Sequence, residues 1–210
     1  MEELTEGVGG EPAVKMADWV GLFETVSRAL CRHSDGCDFV VYPARGDRPR
    51  IREPEARHVM TLSLRERGIR YGIEVPTKGK YQISGSKPDT ANIDLVIDPD
   101  NKHIGVEFKC GQPSLSSILK DVKKFKGEDF GGTAFFHILQ NSDSGSLPSL
   151  LQKYHSAFEA SRQFPERGSK ELLLWVLVKE RKKAYRRLFG SMAEIETATL
   201  SLNDFHCLDV

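Results

Sequence analysis

The sequence predicts an α/β fold in which helices flank a central mixed sheet, and three observations carry that expectation. Residues 92–110 alternate as an antiparallel hairpin; residues 104–139 run strand, amphipathic helix, apolar strand; and residues 172–178 form a further apolar run without alternation. A period of two marks a strand with one buried face, a period near 3.6 a helix with one apolar stripe, and a short wholly apolar run a strand covered on both faces.

The hairpin organises the rest. If residues 98–103 form its loop, Ile97 faces Ile104, Leu95 faces Val106 and Ile93 faces Phe108, which gathers the large apolar residues other than Val96 on one face. A slip of one residue would turn that set outward, so the burial pattern selects this register. The other face then carries Asp94, Glu107 and Lys109. Asp94 and Glu107 come directly opposite, with Cβ atoms about 4.5–5.5 Å apart, where like charges destabilise a strand pair. A divalent cation between the carboxylates would remove the repulsion, and hard oxygen ligands suit Mg²⁺ or Mn²⁺. Lys109, two residues beyond Glu107, shares its side. Two acids holding a metal beside an amine are equipment for hydrolysing a phosphodiester.

The elements follow in order. Residues 1–15 are rich in Glu and Gly and poor in apolar residues, and are expected to be a disordered tail. Trp19, Val20, Leu22, Phe23, Val26, Ala29 and Leu30 recur at helical spacing within an N-terminal helical extension expected to span residues 16–53, with a short strand at 39–42. The main domain, residues 54–210, opens with a helix having Pro54 in its first turn and Gly68 at its end. A strand at 69–75 leads to the hairpin. Next comes a helix with the stripe Leu115, Ile118, Leu119, Val122 and Phe125, its opposite face holding Lys120, Lys123 and Lys124. The run 133–139 completes a βαβ crossover, which places its two strands parallel. His137 within it is read as a hydrogen-bonded core histidine. A helix from Leu147 to Phe164, the strand 172–178, a basic surface helix at 180–192 and an edge strand at 197–202 complete the chain.

The order from about residue 54 to 140, with Asp94 and Glu107-Phe108-Lys109 on a hairpin between two helices, resembles the PD-(D/E)XK nuclease superfamily, the restriction-endonuclease-like proteins. The resemblance implies a restriction-endonuclease-like core and a metal-dependent endonuclease acting on DNA. It implies Asp94 and Glu107 as ligands of Mg²⁺ or Mn²⁺, the Phe108 carbonyl as a further ligand, and Lys109 as the residue that assists the attacking water. Ile93 stands where the family has Pro; a literal Pro88-Asp89 lies in turn-forming sequence, so Asp94 is preferred. The family's helix often adds a Glu, and Glu55 is the better placed match, with Glu74 as its competitor. A nuclease-fold subunit without catalysis, serving nucleic-acid binding or assembly, is the alternative.

Thirty basic and thirty acidic residues give no net charge, so any nucleic-acid surface is local. Lys120, Lys123 and Lys124 are candidate phosphate contacts, beside an Arg-rich stretch from Arg45 to Arg57 and a basic segment from Lys179 to Arg187. A homodimer is expected from the need to cut two strands. Cys31, Cys37, Cys110 and Cys207 show no paired C-x-x-C spacing, and the chain shows no apolar run of membrane length, so reduced thiols in a cytoplasmic protein with no membrane partner are expected. Cys31, His33 and Cys37, with His206 or Cys207, form an alternative zinc set of unusual spacing.

Overall fold

The computed structural model describes residues 15–36, 50–81, 89–98, 103–140, 142–168 and 170–210. The expected tail as far as residue 14, the short strand at 39–42, Arg45, Arg48, Pro88 and Cys37 lie outside those residues.

Among the described residues seven strands form one mixed sheet in which each lies beside its neighbours in sequence: β1 (Arg70–Tyr81), β2 (Asp89–Asp98), β3 (Ile104–Cys110), β4 (Gly132–Leu139), β5 (Glu171–Val178), β6 (Lys183–Phe189) and β7 (His206–Asp209). Strands β3, β4 and β5 are parallel and the other pairs antiparallel. The parallel pairs require long crossovers. These are α3 (Leu115–Gly127) and α4 (Ser146–Ser161). With α5 (Met192–Thr197) they share one apolar cluster with Phe135, Leu174 and Val176. Helices α1 (Val20–Gly36) and α2 (Glu53–Glu66) share the other with Val106, Phe136 and Trp175. The sheet is thus covered on both sides, an α/β architecture.

The helix expected as an extension is built into this core. The Met16 N–H donates to Glu171 Oε2 at 2.6 Å, and Trp175 Nε1 donates to Ser27 Oγ at 2.9 Å, while Leu22, Phe23 and Val26 are fully buried.

Two C-terminal expectations are corrected. Residues 180–192 form a short 3₁₀ turn and strand β6 rather than a surface helix. Their alternation is obscured by long basic side chains that cover apolar surface with their stems, and Arg187 lies over the Phe189 ring at 4.7 Å. The edge strand is His206–Asp209 rather than 197–202; that segment ends α5 and leads to a turn capped by Ser201.

Helix α3 is held from both sides at its C-terminal end. Lys170 Nζ donates to the Phe125 carbonyl at 2.7 Å and Lys126 Nζ to the Ser161 carbonyl at 2.9 Å. The Glu128 carboxylate accepts from the Lys78 and Gly79 amides and from the Tyr81 hydroxyl. The two lysine bonds satisfy carbonyls that the ends of α3 and α4 leave orphaned, and the Glu128 carboxylate ties β1 to the end of α3. They also fix the helix that overlies the hairpin. Leu115, expected in the apolar stripe, is instead 42% exposed at its first turn.

Candidate functional site

The expected register holds where the hairpin is regular: Ile97 pairs with Ile104, Val96 with Gly105 and Leu95 with Val106. Beyond that point β3 continues beside β4 as far as Cys110, while the β2–β3 ladder stops. The amides of β3 on the vacated edge still need acceptors. Side chains supply them: Phe108 N–H donates to Asp94 Oδ2 at 2.8 Å, and Cys110 N–H to Glu53 Oε1 at 3.3 Å.

This fork corrects one expectation. Leu95 and Ile97 pack with Phe108, but Ile93 packs in the opposite cluster. The chain therefore switches face at Asp94, and Ile93 does not oppose Phe108. The adjoining strand is irregular at the same level, where Glu74 adopts a left-handed conformation (φ 51°) between the Ile73–Leu95 and Val75–Ile93 pairs.

Four elements bring charge to the fork. Helix α2 contributes Glu53 and Arg57, one turn apart and so on one face; β2 gives Asp94; β3 gives Glu107 and Lys109; α3 gives Asp121 and Lys124. Helix α3 covers Glu107 and Lys109, which are 1% and 8% exposed. Lys109 Nζ lies 2.7 Å from Asp121 Oδ2. Lys124 Nζ bridges the fork: it pairs with Glu107 Oε1, lies 2.7 Å from Asp121 Oδ1 and donates to the Asn92 carbonyl at 2.9 Å. Arg57 pairs with Glu74 and stands 3.9 Å from Asp94 Oδ1.

Acids outnumber cations in this layer, and their protonation reflects it. Burial pushes the Glu107 carboxyl well above the usual range, the charges of Asp121 and Asp94 push it further, and Lys124 opposes them. Burial likewise raises Glu53, against the pull of Lys109. For Lys109 and Lys124 burial favours the neutral amine, but Asp121 and Glu107 together outweigh it and both ammonium groups are held above their ordinary value.

Several expected site residues are reassigned. Glu55 accepts from the Arg52 amide at 3.0 Å, so it caps the start of α2, and Glu53 is the helix-borne acid at the fork. Glu74 is held by Arg57 instead. Lys124 is 3% exposed and is not a surface phosphate contact. Lys120 and Lys123 remain partly exposed, and Lys123 Nζ lies 4.1 Å above the Phe164 ring. Asp121 was missed, although its position between Ile118 and Val122/Phe125 on the buried stripe marks it as a polar residue in an apolar place. Cys31 is buried in the core, and among the described residues no group of three or more His, Cys, Asp or Glu side chains is arranged to hold a metal ion.

His137 pairs with Lys109 across β3 and β4 and is fully buried, its ring nitrogens bonded to the Tyr154 hydroxyl at 3.0 Å and the Gly111 carbonyl at 2.8 Å. This is the core histidine the sequence suggested. Burial lowers its pKa to about 4. The unfolded chain takes up a proton near pH 6.5 and the folded chain does not, so this contribution to stability is present above that pH and is lost as pH falls through about 4. Relative to His137→Gln, the wild type should lose on the order of 3 kcal/mol between pH 7 and 4 in urea unfolding.

No family model and no curated protein matches the chain. Over 85% of its length it is similar to a crystal structure of the central domain of yeast acetyl-CoA carboxylase, of which it spans 34%, at 9% identity and a TM-score of 0.29; so low a score carries no argument. Among the described residues no helix is long and apolar enough to cross a membrane.

Proposed function

We propose that the β2–β3 fork is the active site of a metal-dependent endonuclease acting on DNA, within a restriction-endonuclease-like core. The observation that carries this reading is the convergence of Glu53, Asp94, Glu107 and Lys109, from three separate elements, at the point where the hairpin opens. The helix, three antiparallel strands, helix and parallel strand that surround them support it.

The residue types suit Mg²⁺ or Mn²⁺, although as they stand no three acids among the described residues are arranged to hold an ion, so binding would require these carboxylates to turn toward it. Glu53, Asp94 and Glu107 offer hard oxygens in a field with surplus negative charge, and the Phe108 carbonyl leaves the strand on the same edge as the N–H bound by Asp94. A bound ion would supply Lewis-acid stabilisation of the phosphoryl oxygens and a more acidic water. Lys109, held protonated by Asp121, donates a hydrogen bond that orients the water or meets developing negative charge; it is not a proton acceptor in this arrangement. Asp121 acts through Lys109 as a positioning residue.

Cleavage of linear, branched and single-stranded DNA, each with Mg²⁺ and with EDTA, tests the proposal, and absence of metal-dependent cleavage on all three counts against it. Binding has its own readout. For a dissociation constant of about 1 mM, 10 mM Mg²⁺ adds about 1.4 kcal/mol of stability, or about 3–6 °C in Tm for a chain of this size. Glu107→Gln should abolish that shift.

A second reading, a non-catalytic nucleic-acid-binding or assembly subunit, is favoured by Lys124. Its ammonium occupies Glu107, Asp121 and the Asn92 carbonyl together, as an internal cation would. A Tm unmoved by Mg²⁺ and Mn²⁺, with DNA bound but uncut, would select it.

A further inference from the structure

We infer that Arg57 is a binding residue for a DNA phosphate, held in reserve by Glu74; the inference rests on the nuclease reading of the adjoining fork. Both lysines of the site are committed to buried carboxylates beneath α3. A phosphodiester approaching Asp94 therefore meets acids first and needs a cation on the open side. Arg57 is in that position. It projects from the same face of α2 as Glu53, and its guanidinium lies 3.9 Å from Asp94 Oδ1. Its planar fork matches two phosphate oxygens.

The clasp that restrains it is built for release. Glu74 is 48% exposed at its side chain, and an ion pair so open to water is weakly held. The carboxylate is offered from a backbone in the left-handed region (φ 51°), on an edge strand, where a non-glycine residue is strained. Strain of that kind persists only where the surroundings maintain it. Here the pairing to Arg57 is what the strained turn gains. When a phosphate takes the guanidinium, Glu74 loses its partner and is repelled from the site by the incoming charge.

Anisotropy of a fluorescein-labelled DNA duplex, measured without divalent metal across a salt series, tests this. Arg57→Ala should weaken binding about tenfold and lower the slope of log K against log salt by about one. Arg57→Lys should recover the slope and only part of the affinity. Glu74→Gly accepts the positive φ without strain and removes the clasp. It should tighten binding about three- to tenfold, and that gain should vanish in the Arg57→Ala background. A gain that persists without Arg57, or no gain at all in Glu74→Gly of unchanged thermal stability, overturns the proposal. Cleavage by the wild type with no Arg57–Glu74 coupling refutes this inference alone; coupling without cleavage refutes the nuclease reading alone; a wild type that binds no DNA refutes both.

Discussion

Lys124→Ala is expected to lose about 3–5 kcal/mol of folding stability, because it leaves two carboxylates buried with their common partner gone. Glu107 is 1% exposed and Asp121 3%, so neither can recover hydration in place of the lost ammonium. Asp121 would keep Lys109, but Glu107 would face Asp121 and Asp94 with no cation in contact. Urea unfolding measures the loss, and the corresponding fall in Tm is about 6–20 °C. Lys120→Ala, on the partly exposed side of the same helix, should stay within about 0.5 kcal/mol. Mn²⁺ should restore part of the stability of Lys124→Ala if the fork takes a divalent ion. A loss below about 1 kcal/mol would show that Lys124 is not the internal cation of this layer.

Asp94→Asn and Lys109→Met are each expected to lower kcat for Mg²⁺-dependent cleavage about 10²–10³-fold, the scale seen when one preorganised charge-stabilising group is removed. The two differ in what else they change. Asparagine retains an oxygen for the Phe108 amide, so Asp94→Asn should fold normally and lose its metal response. Lys109→Met removes one of the two cations on Asp121 and should also be less stable. Rates must therefore be taken below the variant's unfolding transition. Undiminished cleavage by a folded Lys109→Met protein would sink the proposed mechanism.

The regular part of this site was legible because alternation is a local property. The pairing of Leu95 with Val106 and Ile97 with Ile104, and the parallel crossover to β4, follow from apolar spacing alone. The reversal at Asp94 does not, since it arises from a side chain replacing a strand as hydrogen-bond acceptor, an event between residues fourteen positions apart. Glu53 and Glu55 both fall in the first turn of α2, and which one caps depends on the helix beginning after Arg52 rather than after Glu53. Asp121 was masked differently. In a helix rich in lysine it reads as one more solvated charge, although Ile118, Asp121, Val122 and Phe125 follow the i, i+3, i+4, i+7 spacing of a buried face. A charge on such a face, with a lysine three residues later, is the pattern that would have located the ion-pair layer.

Docking of the first helix on the fifth strand has a consequence for synthesis of the chain. The contacts that bury Met16 and Ser27 are made to Glu171 and Trp175, 155 and 148 residues later. At the usual 5–20 residues per second, roughly 7–30 s separate the emergence of the two partners from the ribosome. During that interval the apolar stripe of Leu22, Phe23, Val26 and Leu30 lacks the part of its cover that β5 supplies, Phe23 lying against Trp175 as well as against Phe136 of β4. A nascent chain arrested before residue 171 should therefore recruit hydrophobic-binding chaperones through its first helix, and release them once β5 has emerged.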